Sequence, residues 1–160
     1  MLGLMTYCAA IGHLYNVMQT YNKIQIKFQR QQEKLIARHL VGKDLFTSAL
    51  RVSTCTVGTN TCNAKTERAG MQPLSDILIL HTSQHNIIYY LHKSIASNPK
   101  SIIKYALYRD NTIHQPQAIV ENVQSLKVKI LTSLLQRQTI VVTIQFLDNY
   151  TLEIKCTLPH

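Results

Sequence analysis

The chain has 160 residues, 46% of them hydrophobic, and a formal net charge of +9 from 17 Lys and Arg against 8 Asp and Glu. That length supports one domain plus one long extension, and the composition excludes a low-complexity or wholly disordered chain. The charge is spread, with a net of +5 over Met1–Arg51 and +4 over Val52–His160, so no compact basic patch is implied.

The first 51 residues read as one helix. Leu, Ala, Met, Gln, Lys and Arg dominate, there is no Pro, and nothing forces a stop before Arg51. At about 1.5 Å per residue it would reach roughly 75 Å, far beyond the roughly 30 Å of a globule built from the rest. Half of it therefore needs a partner other than that globule. Residues 1–22 carry no formal charge, whereas Lys23 to Asp44 carry eight, which divides the segment into an apolar part (1–22) and an amphipathic, basic part (23–51).

Leu2, Leu4, Met5, Ile11, Leu14 and Val17 suit lipid or the core of an assembly. His13, Asn16 and Gln19 are costly at bilayer depth, so the clean stretch ends near Gly12 and falls short of a span by itself. A cleavable signal peptide fits worse because no basic region precedes the apolar run, and Tyr7 does not suit a lipid-modified Cys8. A buried helix of a globular domain is the plainer alternative.

In the basic part, Ile24, Phe28, Leu35, His39, Gly42, Phe46 and Ala49 recur at helical spacing, and from Leu35 the stripe widens to take in Ile36, Leu40, Val41, Leu45 and Leu50. We therefore expect Leu35, His39, Gly42, Phe46 and Leu50 to face a sheet along the last four or five turns. Lys23, Lys27, Arg30, Lys34 and Arg38 read as a solvated face suited to anionic headgroups or acidic neighbours, with DNA as a second possible partner.

From Val52 to Pro73 the chain is rich in Thr, Asn, Ser and Gly, which is loop chemistry. Cys55 and Cys62 lie within it, close enough to close a short disulfide but without the second ligand pair of a zinc site. A bond from one of them to Cys156, or free thiols, are the alternatives. A local disulfide favours an oxidising compartment. Beyond it come about six short runs of Ile, Val, Leu and Tyr, beginning "SDILILHTS" and ending "TIVVTIQFL" and "YTLEIKCTL", with Asp148-Asn149 marking a final hairpin. The class is α+β, a long N-terminal helix (1–51) on an antiparallel β-sheet within a β-rich head (52–160).

Catalytic constellations do not emerge. His81, His85 and His92 fall at strand ends with no Asp or Glu beside them, Asp76, Asp110, Glu121, Asp148 and Glu153 form no carboxylate pair, and no phosphate-binding glycine loop occurs. No enzymatic activity, cofactor, metal or small-molecule substrate is expected.

"LIARHLVGKDLFTSALRVSTC", "SDILILHT" and "YALYRDNTIHQPQAIVENVQSLKVKI" together resemble the minor type IV pilins of the PilW type and the related J-type pseudopilins of type II secretion. Those families end the long helix with an Asp-Leu-x-x-Ala phrase, matched from Asp44 with Ala49 one position late. A cysteine-bearing loop follows, then a Ser-Asp-x-Leu strand start at Ser75, then a Val-x-x-Val-x-x-Leu phrase at Val120, Val123 and Leu126. The resemblance implies a subunit that helps to initiate or cap a pilus or pseudopilus, with other minor pilins or pseudopilins as partners. It also implies an inner-membrane location with a periplasmic head, or a place in the filament. Filament assembly, secretion or DNA uptake are the outputs it allows. The basic leader and Gly cleavage site of such precursors are not seen before Met1, so the chain is expected to begin about ten residues inside the mature helix. Lys23 to Arg38 would by themselves favour the cytoplasmic side, so a periplasmic head is expected to depend on that leader.

Overall fold

The computed structural model describes residues 2–60, 62, 68–94, 103–111, 113, 115–133 and 137–158, residues 2–9 by backbone alone. Helix α1 runs over Leu2–Lys43 and passes into a π-helical turn at Asp44–Ser48. Seven strands follow: β1 (Arg51–Thr56), β2 (Asp76–His81), β3 (Asn86–Lys93), β4 (Tyr105–Asp110), β5 (Gln117–Thr132), β6 (Gln138–Phe146) and β7 (Thr151–Thr157). They pair antiparallel in chain order, β1 to β7, as an uninterrupted meander. The α+β class and the helix-on-antiparallel-sheet arrangement are thus observed.

Strands β2, β3, β4, β6 and β7 lie on five of the six apolar runs, whereas β5 begins at Gln117, well before its run at Ser125. The Ser101-Ile102 start expected for the third run, the side chains of Leu2, Leu4, Met5 and Cys8, and the middle of the cysteine-bearing loop lie outside the described residues. The final hairpin turns at Asp148-Asn149: Asn149 takes φ 62° and Phe146 N donates to Tyr150 O at 2.8 Å. β1 corrects the sequence reading, which made Val52–Thr56 part of a loop. Val52 is buried in the main core and Cys55 in a second cluster, so both faces of β1 are covered and the alternation that announces a strand is lost.

The Val-x-x-Val-x-x-Leu phrase has a structural cause. A spacing of three should throw successive residues onto opposite faces of a strand, yet Val120, Val123 and Leu126 all enter one core. Register shifts restore them to the same side, along the pairing with β4 and again between Val123 and Ser125 on the β6 side. Asn122, at φ 59°, sits between them, and its carbonyl accepts from Leu147 N at 2.9 Å. Such bulges bend a strand, and β5 accordingly pairs with β4 through its first half and with β6 through its second.

The chain divides into two compact units, residues 1–34 and 35–160. The last turns of α1 thus belong with the sheet in the second unit. Within the second unit the helix buries Ala37, Val41 and Leu45 against a core that includes Leu78, Leu80, Tyr89, Leu107, Val142 and Ile144.

Val41 and Leu45 belong to the widened stripe expected to dock, but the residues singled out to face the sheet do not. Leu35 is 63% exposed, Phe46 64% and Leu50 72%; His39 is exposed and Gly42 only half-buried. At 3.6 residues per turn the expected stripe and the Ala37-Val41-Leu45 stripe lie roughly 130° apart around the helix. Large apolar side chains drew the reading to the wrong side, whereas docking selected a small residue, a β-branched one and a single Leu next to Asp44, itself buried. Accordingly, Leu45→Ala should lower the unfolding free energy by about 2 to 5 kcal/mol, while Phe46→Ala should change it by no more than about 0.5 kcal/mol. Urea titration of the two variants measures both, and equal losses would contradict the assignment of faces.

Candidate functional site

Two features of the helix carry the functional content: what it docks with and what it leaves uncovered. Docking centres on Asp44, 5% exposed at the start of the π turn. Its Oδ2 accepts from Tyr89 Oη at 2.6 Å and from Arg109 Nε at 2.7 Å. Tyr89 and Arg109 stand directly opposite each other on β3 and β4, so the sheet offers two adjacent donors to one carboxylate. A charge-assisted bond of this kind is stronger than a neutral one, and an unpaired carboxylate at this depth would be strongly unfavourable.

Burial, and then the hydrogen bond to Asp44, push the Tyr89 phenol far above the ordinary tyrosine range. The hydrogen bond to Asp44 likewise raises the Arg109 guanidinium against the opposing effect of burial.

The uncovered feature runs along α1. Ile11, Leu14, Tyr15, Val17, Met18, Tyr21, Ile24 and Phe28 are between 49% and 65% exposed, and Leu35, Ile36 and Phe46 between 50% and 64%. Counted at 100° per residue, those of the first unit share one side of it with Ile26, spanning an arc of roughly 200°. Lys23, Lys27, Arg30 and Lys34 fall on the other side of the same unit. Of the residues expected to serve a membrane or filament role, Ile11, Leu14 and Val17 are exposed in the first unit; Leu35 and Phe46, expected to face the sheet, are exposed in the second. No helix among the described residues is long and apolar enough to cross a membrane.

On the opposite face of the sheet, Cys55 is joined to Cys62 with their Cα atoms 5.0 Å apart. The pair closes a loop of about eight residues, which in the chain-entropy model contributes roughly 2.5 kcal/mol. Cys55 packs with Met71, Ile77 and Tyr90 in a second cluster, over which Arg68 bonds to Tyr90 Oη at 3.3 Å and forms an ion pair with buried Asp110. Cys156 is a buried free thiol in the main core.

His81 bridges neighbouring strands and His92 holds the loop before β2. His81 shares hydrogen bonds with Ser53 Oγ at 2.9 Å and Asn86 Oδ1 at 3.0 Å. His92 Nε2 donates to Ala69 O at 2.9 Å, and Gly70, at φ 90°, leaves room for that ring: a Cβ there would stand 2.8 Å from it. Among the described residues no group of three His, Cys, Asp or Glu is placed to hold a metal ion.

Asp44, Tyr89 and Arg109 were missed as a group in the sequence. The available signal was a lone acid inside an apolar stretch at the end of a long helix. Comparison with protein-family models, with curated proteins and with solved structures found no match.

Because the folded-state pKa of Tyr89 is raised, its contribution is fully present below the unfolded value near 10 and declines above it, where only the unfolded chain releases the proton. Between about pH 10 and 12 the wild-type chain should lose about 1.4 kcal/mol per pH unit more than Tyr89→Phe does. Near neutral pH the same substitution should cost about 1 to 3 kcal/mol, because Asp44 loses a donor. Urea titrations across the alkaline range provide the comparison, and parallel slopes would show that Tyr89 does not retain its proton in the fold.

Proposed function

We propose that this chain is a subunit of a helical filament of the type IV pilin kind, a minor pilin that helps to initiate or cap assembly. The observation that carries this reading is the set of exposed apolar side chains on the first unit, Ile11, Leu14, Val17, Met18, Ile24 and Phe28, in a segment that forms a compact unit of its own. Large apolar side chains grouped on one exposed surface mark a place of interaction. Parallel neighbours offering the same arc would bury it, and the hydrophobic gain would be distributed along the whole helix.

Two local features support the resemblance further. The Asp-Leu-x-x-Ala phrase carries one extra residue here, and the helix at that place is a π turn, with Ala49 N donating to Asp44 O at 3.1 Å. A π turn takes one more residue per hydrogen-bonded ring than an α turn, so it absorbs the insertion without unseating the Asp. The disulfide beside β1 suits an oxidising compartment such as the periplasm.

In the membrane the stripe waits among lipid chains or against other apolar helices; in the filament it packs against neighbouring subunits. A J-type pseudopilin of type II secretion would use the same contacts with different partners. A photo-cross-linking residue at Val17, introduced in the native host, tests the proposal. Adducts should form with chains that carry a pilin-type apolar helix, and deletion of the gene should reduce surface filaments; loss of secretion with filaments intact would select the pseudopilin. Adducts lacking such helices, or DNA retention that falls steeply between about 50 and 200 mM salt, would overturn it in favour of a binding module.

A further inference from the structure

β7 is the last strand of the sheet. Free strand edges invite pairing, and this chain treats its edges unequally. Where β5 runs beyond β4, side chains of the preceding loop and strand occupy its edge: Asp76 Oδ2 accepts from Val128 N at 2.8 Å and Gln72 Nε2 donates to Gln124 O at 2.6 Å.

The orientation of the β7 backbone follows from its hydrogen bonds to β6. Phe146 N donates to Tyr150 O and Leu158 N to Gln138 O at the two ends of the ladder. Alternation in an antiparallel pair then turns the N–H and C=O of Leu152, Ile154 and Cys156 toward β6. Those of Thr151, Glu153, Lys155 and Thr157 point to the outer edge. The side chains of the same four residues are exposed on one face, while Leu152, Ile154 and Cys156 are buried on the other.

We propose that β7 pairs with β7 of a second copy of this chain, antiparallel about a two-fold axis at Ile154, through the outward backbone of Thr151, Glu153, Lys155 and Thr157. Two independent features select this register. Outward groups must meet outward groups, so odd-numbered residues must stand opposite odd-numbered ones. Of the two-fold registers that satisfy this, centring on Glu153 sets it against itself, and centring on Lys155 sets two lysines face to face.

Centring on Ile154 places Glu153 opposite the second copy's Lys155 and Lys155 opposite the second copy's Glu153, with Thr151 opposite Thr157 at both ends. Four residue pairs, each exchanging two bonds, give about eight main-chain hydrogen bonds. Within one chain Lys155 Nζ already lies 2.8 Å from Glu153 Oε1, with side chains 68% and 49% exposed. Such a pair contributes little in open water, whereas opposite charges facing across a ladder favour one pairing and like charges oppose it. The two sheets would join edge to edge into one.

This inference goes beyond the filament reading and is separable from it, since it uses the last strand and not the helix. Sedimentation of the full chain in mild detergent, from about 10 to 200 µM, tests it. The wild-type chain should dimerise within that range. Glu153→Lys sets lysines against lysines and Lys155→Glu sets acids against acids, so each alone should weaken dimerisation at least about tenfold. An equimolar mixture of the two variants should restore it, because every facing pair is then of opposite sign. The double exchange E153K with K155E should also dimerise. In amide exchange, Thr151, Glu153, Lys155 and Thr157 should slow as concentration rises, while Leu152, Ile154 and Cys156 are slow throughout. A monomeric wild type, single variants that associate as the wild type does, or a mixture that fails to recover would each overturn the proposal. Association through the helix would survive both single variants and so be told apart.

Discussion

The buried carboxylate of Asp44 is the constraint on which the rest of the structure depends. It stands where α1 gives way to the π turn, and its Oδ2 takes donors from Tyr89 and Arg109 on adjacent strands. Apolar packing alone sets the rotation of a helix weakly when two of its sides carry large hydrophobic residues, because either side could be buried at similar gain. A charge that must meet two fixed donors removes that ambiguity. Replacing a buried ion pair by apolar residues is often neutral or better for stability, so we assign Asp44 mainly to registry: it decides which side of the helix the sheet covers.

That decision has a functional consequence. With Ala37, Val41 and Leu45 turned to the sheet, Leu35, Ile36 and Phe46 are left on the surface of the second unit. Docking of the second unit's helical turns therefore leaves Leu35, Ile36 and Phe46 uncovered. The β7 edge and the disulfide loop lie on other elements again, at β7 and beside β1.

Much of the fold was legible from periodicity. The six strand runs stood out because β2 to β7 combine β-branched and aromatic residues with turn chemistry between them, and the Asp148-Asn149 turn announced its hairpin. β1 was hidden because Val52 and Cys55 are buried in different clusters. The bend in β5 was written as apolar residues spaced by three, a pattern that becomes intelligible only with the register shifts around Asn122. The docking face was misread for a physical reason: hydrophobic pattern reading counts Phe46 and Leu50 toward the core and counts Asp44 against it, and here the charged residue is buried while its apolar neighbours are not. The Cys55–Cys62 pair was the local solution favoured by chain proximity.

A double-mutant cycle between Asp44 and Arg109, measured by urea unfolding at neutral pH, tests the central role of the buried carboxylate. Asp44→Ala and Arg109→Ala should each cost about 3 kcal/mol, at the lower end of the buried-pair range because the Arg109 side chain keeps 24% of its exposure. The double variant should lose less than the sum of the two, by about 1 to 3 kcal/mol. Additivity within about 0.5 kcal/mol would mean that the two residues stabilise the fold independently, and the claim that their contact sets the seat of the helix would fail.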